Sequence, residues 1–318
     1  MNTFEFEEMV RSQSKLSVAV YGPSGSGKTT AAIKLAMGIR DELYPGQKLN
    51  DIGLFIDTER RSSTKAVGRR VGGETLEPLG LYAFEPPYDI YKLVQLVEYA
   101  VANGKKIIVV DSATAFWSGY QGILENVAEL DVKLADAKKM YGAWSEKEII
   151  AKKNALKNFM TNAEAHIIIC LRAKTEYVME ANARGKMTPK AIGLKEDMQA
   201  DIRYEFDAVL SIDKDTHEVS VVKDRIGYLE IRETNDNPAA PVTVEDGKTL
   251  ARLVAEGLSL EEIAARKRQK LISFVLDEKA HKSSKVKTFE DAKAVQLTQE
   301  YLEKITHDQL LALVKYLK

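Results

Sequence analysis

Residues 17–30 carry the stretch SVAVYGPSGSGKTT, which constrains the fold more than any other part of the chain. A short apolar run leads into the motif G-x-x-x-x-G-K-T, and a helix-like continuation, AAIKLAMGI, follows. An apolar strand that ends in a glycine-rich turn and continues into a helix is the context in which this motif binds nucleotide phosphates. A glycine-rich turn that binds nothing would not explain the strand and the helix on either side. The sequence therefore predicts a P-loop.

Each part of the P-loop has a separate task in phosphate binding. The glycines let successive backbone N–H groups point inward around phosphate oxygens. Lys28 can reach the β- and γ-phosphates, and the hydroxyl of Thr29 can bind Mg²⁺. We therefore expect ATP and Mg²⁺ as cofactors. The candidate nucleotide contacts are Gly22, Pro23, Ser24, Gly25, Ser26, Gly27, Lys28, Thr29 and Thr30.

Short, nearly continuous apolar runs alternate with helical patterns in the first two thirds of the chain. The positions are 16–21, 53–57, 105–111 and 165–171 for the runs and 29–40, 88–103 and about 145–163 for the helices. This alternation predicts an α/β fold with βαβ units around a mainly parallel central sheet that is covered on both faces. Two alternating segments, YEFDAVLSID and EVSVVKDRIG, predict a hairpin at the sheet edge.

The C-terminal part has a different pattern. A polar, proline-bearing stretch, NDNPAAPVT, precedes a region that reads as all-helical. The predicted organisation is an α/β core at 1–234, a linker and connecting segment at 235–258, and a small C-terminal all-helical module at 259–318. Capping-box spacings predict the starts of three helices. They are Ser145 with Glu148, Ser259 with Glu262, and Thr306 with Gln309.

Composition narrows the classes of function. The chain is 45% hydrophobic and 29% charged, as in an ordinary soluble globule. Its 46 basic and 47 acidic residues nearly cancel, so global charge argues neither for nor against nucleic acid. A single cysteine, Cys170, and four scattered histidines give no zinc-ligand spacing, and no apolar run approaches membrane length. We expect a cytoplasmic protein with no membrane partner.

Two carboxylates follow predicted buried strands. KKIIVVDS places Asp111 at the carboxyl edge of a strand, where ligands bind in open α/β sheets, so that it can hold Mg²⁺. LFIDTE places Glu59 just beyond another strand, where it could polarise the water that attacks the γ-phosphate. From spacing alone, a solvated glutamate at a strand end explains Glu59 equally well.

The order of these segments is similar to that in a known family. Over roughly residues 12–235, the chain resembles the RecA-type recombinase ATPases in the order of its segments. That order is a P-loop, then IDTE, then IIVVDSATAF, then an apolar strand entering a long loop. Within that group the chain resembles the phage-encoded single-strand-annealing ATPases of the Sak type. The resemblance implies a RecA-like P-loop NTPase with Glu59 as the catalytic base and Asp111 as the Walker B residue. We expect Lys28 to be a catalytic residue as well.

The same resemblance implies a function. It is that of an Mg²⁺-dependent ATPase which couples ATP binding and hydrolysis to single-stranded DNA binding, in recombination or annealing. The expected partners are single-stranded DNA, further copies of the chain in a ring or filament, and a single-stranded-DNA-binding protein. If the protein is phage-encoded, its location is the host cytoplasm.

Two further sets of cations are assigned through the resemblance. RecA-type proteins usually carry a γ-phosphate-sensing glutamine where this chain has Leu171 or Arg172. Arg172 could sense phosphate by its charge or form a structural ion pair. In VVKDRIG, Lys223 and Arg225 lie two apart on one face of a strand. The resemblance makes them catalytic cations that one subunit presents to its neighbour's ATP, whereas a solvated strand edge is the alternative.

The segment between Leu171 and about Tyr204 contains glycines and a proline without a clear period, so we expect a long structureless loop. By resemblance it takes the place of the second DNA-binding loop of RecA-type proteins. Basic groups for phosphates and an aromatic ring for base stacking would suit single-stranded DNA. The candidate contacts are Lys174, Tyr177, Arg184, Lys186 and Lys190. A flexible surface loop is the alternative.

Two other classes of function stay open. One is an ATP-dependent loader or switch that acts on a protein partner. The other, which the sequence disfavours, is a small-molecule P-loop kinase. Two observations argue against a kinase. Glu59 is better suited to activating water than to phosphoryl transfer onto a small molecule, and no arginine-rich lid follows the predicted sheet.

Overall fold

A computed structural model describes residues 9–135, 142–181, 187–199, 201–234, 238–281 and 283–317. The described residues form two compact units. One is Ser14–Ala255, and the other combines the chain up to Gln13 with the chain from Glu256 onward.

Within its described residues, the Ser14–Ala255 unit is built on an eight-stranded sheet. The strands are β1 (Ser17–Gly22), β2 (Gly53–Asp57), β5 (Gly80–Ala83), β6 (Ile107–Asp111), β7 (His166–Ala181), β8 (Met187–Glu196), β9 (Ala208–Ile212) and β10 (Val219–Asp224), and a separate small hairpin consists of β3 (Arg70–Val71) and β4 (Glu74–Thr75). The sheet order is β10-β9-β1-β7-β6-β2-β5, and β8 pairs with β7 outside this path. In this order, every pair of neighbouring strands from β9 to β5 is parallel, whereas β10 is antiparallel to β9. The predicted α/β class, mainly parallel sheet and edge hairpin are confirmed.

Helices cover both faces of this sheet. They are α1 (Lys28–Leu43), α2 (Leu49–Ile52), α3 (Ile90–Ala102), α4 (Thr114–Ser118), α5 (Ile123–Ala135), α6 (Lys147–Asn162), α7 (Tyr228–Glu233) and α8 (Val244–Ala255). Alternate residues of β1 point to opposite faces: Val18 and Val20 pack with α1, while Ala19 and Tyr21 pack with α3 and α6. Burial on both faces explains why the parallel strands read as continuous apolar runs.

The segment interpreted as a linker contains a core helix. α8 packs on α1 with Leu250, Ala251 and Val254 buried. A Cβ on Gly38 of α1 would lie 2.2 Å from the carbonyl oxygen of Val244, so the two helices approach too closely for a larger residue there. The α/β unit therefore extends to Ala255 and not to the predicted 234.

The predicted structureless loop is a β-hairpin. β7 continues to Ala181, and β8 pairs with it antiparallel from Ala173 opposite Glu196 to Ala181 opposite Met187. We call residues 173–181 and 187–196 the arm. The sequence prediction was wrong because cross-strand hydrogen bonds can satisfy an extended backbone without an alternating apolar pattern.

The second unit is helical beyond Glu256. Its helices are α9 (Leu260–Ala280), α10 (Ser284–Lys293), α11 (Gln299–Lys304) and α12 (His307–Leu317), which share an apolar core. Within the part of the chain that the structure describes, no helix has the length and apolar character needed to cross a membrane.

Two of the three predicted capping boxes are present. The side chain of Ser259 accepts from the Glu262 N–H while that glutamate accepts from the Ser259 N–H, and Thr306 and Gln309 exchange the same pair of bonds. The third prediction was wrong. α6 has Glu146 as its N-cap, and the Ser145 hydroxyl donates to the Gly142 carbonyl in the preceding turn.

His166 is a buried ring with a defined tautomer. Its Nδ1 accepts from the Leu16 N–H at 3.1 Å, so the proton is on Nε2, which lies 3.2 Å from the Tyr44 hydroxyl. Burial, with a smaller contribution from Lys15, lowers the pKa of His166 to about 3. The ring is therefore neutral in the folded protein at neutral pH.

We expect the free energy of unfolding to fall as the pH drops below about 6.5, by up to about 1.4 kcal/mol per pH unit from this residue. The folded pKa lies below the unfolded one, so the unfolded chain binds the proton first and stability present at neutral pH is lost on acidification. His166→Asn retains an acceptor but cannot titrate. Urea unfolding between about pH 7 and about pH 5 should show a flatter profile for this variant. Equal profiles would contradict the assignment.

Candidate active site

The P-loop backbone follows a path that requires glycine. A Cβ on Gly22 would lie 2.5 Å from Ser26 Oγ and 2.7 Å from the Ile212 carbonyl oxygen. Gly25 and Gly27 have φ values of 83° and 93°, which favour glycine. α1 begins immediately afterwards at Lys28, so its N-terminal N–H groups face the loop. The turn therefore has the shape of a phosphate cradle.

The groups predicted for the triphosphate and the metal lie together at this turn. Lys28 Nζ donates to the carbonyls of Gly22 at 2.9 Å and Pro23 at 2.8 Å. Thr29 Oγ1 donates to Asp111 Oδ2 at 2.5 Å. Burial raises the pKa of Asp111 to about 6, against the hydrogen bond from Thr29. A hydroxyl and a carboxylate side by side are the hard oxygen ligands that Mg²⁺ requires, so the residues fit ATP with this ion.

Hydrogen bonds join the end of β2 to the end of β6. In the parallel register Asp57 lies opposite Asp111. The Thr58 hydroxyl accepts from the Ser112 N–H at 2.8 Å and donates to the Ser112 carbonyl at 3.0 Å, while the Thr58 N–H donates to the Asp111 carbonyl at 2.8 Å. These bonds hold Glu59, the next residue, beside Asp111, the candidate metal ligand.

Glu59 and Arg172 form an ion pair across the same edge of the sheet. Glu59 Oε1 accepts from Arg172 Nε at 3.2 Å and from Nη2 at 3.0 Å. Both side chains line a cavity of about 1010 Å³ that also includes Lys28, Thr29 and Asp111. The structure thus brings together Glu59, Arg172 and the P-loop.

The carboxylate of Asp57 organises the turn that carries Glu59, a role that the sequence analysis missed. Its Oδ1 accepts from the N–H groups of Glu59 at 2.7 Å and Arg61 at 3.1 Å, and its Oδ2 accepts from the Ser63 N–H at 3.0 Å and the Ser63 hydroxyl. The turn includes Arg60 and Arg61 at left-handed φ values of 55° and 61°. An aspartate two residues before the glutamate is a known turn signal and could have identified it.

A second cavity, of about 360 Å³, adjoins the P-loop. It shares Gly25, Gly27 and Thr30 with the larger cavity. Its other lining residues include the apolar Ala31, Val71, Ile212, Pro241 and Val242 together with His217. Nδ1 of His217 lies 3.0 Å from the Ser26 carbonyl, which can only accept, so Nδ1 carries the proton. An apolar cavity next to a phosphate cradle can accommodate a nucleoside.

A comparison with protein families agrees with this geometry. A family model described as an AAA domain matches residues 14–239. The chain belongs to the AAA domain family. The match includes the P-loop, Asp111 and Glu59, and it supports a P-loop ATPase that binds and hydrolyses nucleotide. No curated protein matches the chain.

The candidate trans-acting cations of the AAA domain contact backbone carbonyls. Lys223 Nζ donates to the carbonyls of Arg203 at 2.7 Å and Phe206 at 2.5 Å, and Arg225 donates to the Tyr204 carbonyl. Neither is among the described residues that line the two cavities. Their action on a neighbouring subunit stays a prediction.

The candidate DNA contacts of the AAA domain are only partly described. Lys174 forms an ion pair with Asp197 at 2.8 Å. Tyr177 and Lys190 belong to facing strands of the arm. Arg184 and Lys186 lie outside the described residues. DNA binding therefore also stays a prediction.

Lys28 and Glu59 should separate nucleotide binding from hydrolysis in this AAA domain. Lys28→Ala removes the P-loop ammonium, so ATP affinity should fall by at least about a hundredfold. Glu59→Gln retains the shape but not the base, so ATP should bind while turnover drops at least about a hundredfold. Calorimetry and phosphate release test the two effects. Wild-type turnover in Glu59→Gln would show that another group activates water.

Asp57→Ala should lower kcat at least about tenfold with a smaller change in KM for ATP, because the turn that positions Glu59 loses its acceptor. Ser63→Ala removes one of the four donors to Asp57 and should have a milder effect of the same kind. Steady-state kinetics on both variants measures this order. A kcat that is unchanged in a folded Asp57→Ala protein would refute the positioning role.

Proposed function

We propose that this AAA domain protein is a RecA-type, Mg²⁺-dependent ATPase that couples ATP binding and hydrolysis to single-stranded DNA binding in recombination or annealing. The observation that carries the proposal is the position of Glu59. It follows the strand next to that of Asp111 and lines the P-loop cavity. This is the arrangement in which a carboxylate can act on water near a γ-phosphate.

The hydrolytic roles follow from the contacts. The P-loop N–H groups and Lys28 bind the β- and γ-phosphates, while Thr29 and Asp111 hold Mg²⁺. When bound, that ion neutralises charge on the phosphate oxygens. Glu59 orients the attacking water and accepts its proton on the carboxylate. Arg172 binds Glu59 in the structure, so exchange of this contact for the γ-phosphate would free the carboxylate and make Arg172 a sensor.

The nucleoside fits the second cavity. Its apolar wall suits a base, and Thr30 and Gly27 connect it with the phosphate cradle. The His217 ring lines this cavity and binds the Ser26 carbonyl through Nδ1. A nucleobase bound in the second cavity would therefore act, through His217, on a residue of the P-loop.

The arm provides the proposed connection to DNA. It begins at Ala173, directly after Arg172, and the Asp197 N–H donates to the Arg172 carbonyl at 2.7 Å. DNA held by the arm would thus act on the residue that contacts Glu59. The proposed contacts are Lys174, Tyr177, Arg184, Lys186 and Lys190.

Assembly into a homo-oligomer, a ring or a filament, belongs to the same proposal. Lys223 and Arg225 would act on a neighbour's ATP. Exposed side chains that a neighbouring subunit could cover lie close to these two cations. Tyr204, whose carbonyl binds Arg225, is 71% exposed, and Val222 in β10 is 39% exposed. A single-stranded-DNA-binding protein as partner and a phage origin, with action in the host cytoplasm, complete the proposed setting.

The coupling is tested by ATP turnover with and without single-stranded DNA, for wild type and for Arg184→Ala/Lys186→Ala/Lys190→Ala. We expect DNA to stimulate the wild type. The triple variant should lose the stimulation while it retains nucleotide binding, and its slope of log K against log salt should shrink by up to about two units.

The opposite outcomes separate the alternatives. Turnover that ignores DNA, together with no DNA binding at low salt, would refute the recombinase proposal and favour a loader or switch that acts on a protein partner. A phosphorylated small molecule among the products would instead identify a kinase.

A further inference from the structure

The segment between Glu59 and β3 carries basic side chains that the sequence analysis assigned to no role. Arg60, Lys65 and Arg69 all line the P-loop cavity. In the part of the chain that the structure describes, none of these three side chains has a hydrogen bond or ion pair with another residue. The neighbouring Arg70 differs, because its Nε donates to the Gly73 carbonyl.

The segment is fixed at its start by the Asp57 carboxylate and further along by its own packing. A 3-10 turn spans Ser62–Lys65, and Ala66 is buried in the cluster that contains α1. The Gly68 N–H donates to the Leu76 carbonyl at 2.8 Å, and the Leu76 N–H donates to the Arg69 carbonyl at 3.0 Å. The backbone that carries Lys65 and Arg69 is therefore anchored at several points.

An ion pair attaches the small hairpin that follows to the P-loop helix. Lys34 of α1 is almost fully buried, and its Nζ lies 2.9 Å from Glu74 Oε2 in β4. The other oxygen of Glu74 accepts from the Val244 N–H at 3.0 Å. The hairpin and α1 are thus held together, so Arg69, which directly precedes β3, has a defined place beside the start of α1.

Arg69 lies where the two cavities meet. Like Gly25, Gly27 and Thr30 of the P-loop, it lines both of them. A nucleotide with its base in the smaller cavity and its terminal phosphates in the larger one must pass this border with its α- and β-phosphates. Arg60 lines only the larger cavity and follows the catalytic Glu59 directly.

We propose that Arg60, Lys65 and Arg69 form a cationic wall that neutralises the triphosphate within the same subunit, with Arg69 at the α- and β-phosphates and Arg60 toward the γ-phosphate. This inference rests on the ATPase activity of the proposed function. It does not depend on DNA binding or on cations from a neighbour. A guanidinium suits the role because its fork of donors matches phosphate oxygens and always carries charge.

The charge of the site is a second argument for the cationic wall. Asp57, Glu59 and Asp111 place three carboxylates at the same strand ends that receive the anionic nucleotide. The positive charges of Lys28 and Arg172 face this cluster, and Arg172 is paired with Glu59. Arg60, Lys65 and Arg69 add positive charge to the lining of the same cavity, which makes it attractive to a polyphosphate.

The test is equilibrium binding of Mg²⁺ complexes of ADP and a non-hydrolysable ATP analogue. Arg69→Ala should weaken both ligands by a similar factor of about ten, whereas Arg60→Ala should weaken the ATP analogue more than ADP. Arg69→Lys should recover part of the loss. Arg61→Ala and Arg70→Ala are matched controls, because neither side chain is among the described lining residues. Both should bind like the wild type.

Unchanged affinity in Arg69→Ala and Arg60→Ala proteins whose thermal unfolding matches that of the wild type would overturn the inference. Equal losses in the two controls would also overturn it, because they would show only an effect of net charge. The proposed function fails differently. Absence of DNA stimulation would leave these affinities unaffected, and absence of ATP binding in the wild type would contradict the ATPase itself.

Discussion

The parallel pairing of β2, β6 and β7 is the constraint on which the candidate site depends. The register sets Asp57 opposite Asp111 and Asp111 opposite Cys170, so residues that leave these strands emerge at one edge. β1 pairs with β7 on the other side and brings Gly22 opposite Arg172. The P-loop, the candidate metal ligand Asp111, the candidate catalytic base Glu59 and the candidate sensor Arg172 therefore meet because their strands are neighbours, although more than a hundred residues separate some of them.

Asp57 connects this edge with the rest of the chemistry. Four donors converge on one buried carboxylate, and the backbone they fix carries Glu59 and Arg60, which both line the P-loop cavity. The candidate base Glu59 and the first cation of the proposed wall, Arg60, thus belong to one turn, so loss of the Asp57 carboxylate would affect the position of both. A buried acceptor with several N–H donors is costly to lose, because each donor is left without a partner.

Arg172 lines the P-loop cavity and directly precedes the arm. Its side chain pairs with Glu59, its N–H donates to the Thr114 hydroxyl at 2.9 Å, and its carbonyl accepts from the N–H of Asp197, the residue directly after the arm. A ligand on the arm that displaced Asp197 would act on Arg172, which contacts the candidate catalytic base Glu59. This gives the proposed coupling a short physical route made of hydrogen bonds.

The sequence by itself determined the P-loop motif and the α/β class, because glycines before Lys28 and apolar strands alternating with helical patterns are local signals. It also placed Asp111 and Glu59 directly after apolar strands, but spacing alone did not separate a catalytic Glu59 from a solvated one. It could not determine which cations line the P-loop cavity of the same chain. Lys223 and Arg225 had the expected spacing, yet they contact backbone carbonyls, whereas Arg60, Lys65 and Arg69 line the cavity. The arm and α8 were likewise decided only by the tertiary structure. The pairing of β7 with β8, and the close approach of α1 and α8 at Gly38, are contacts between distant residues that no local pattern records.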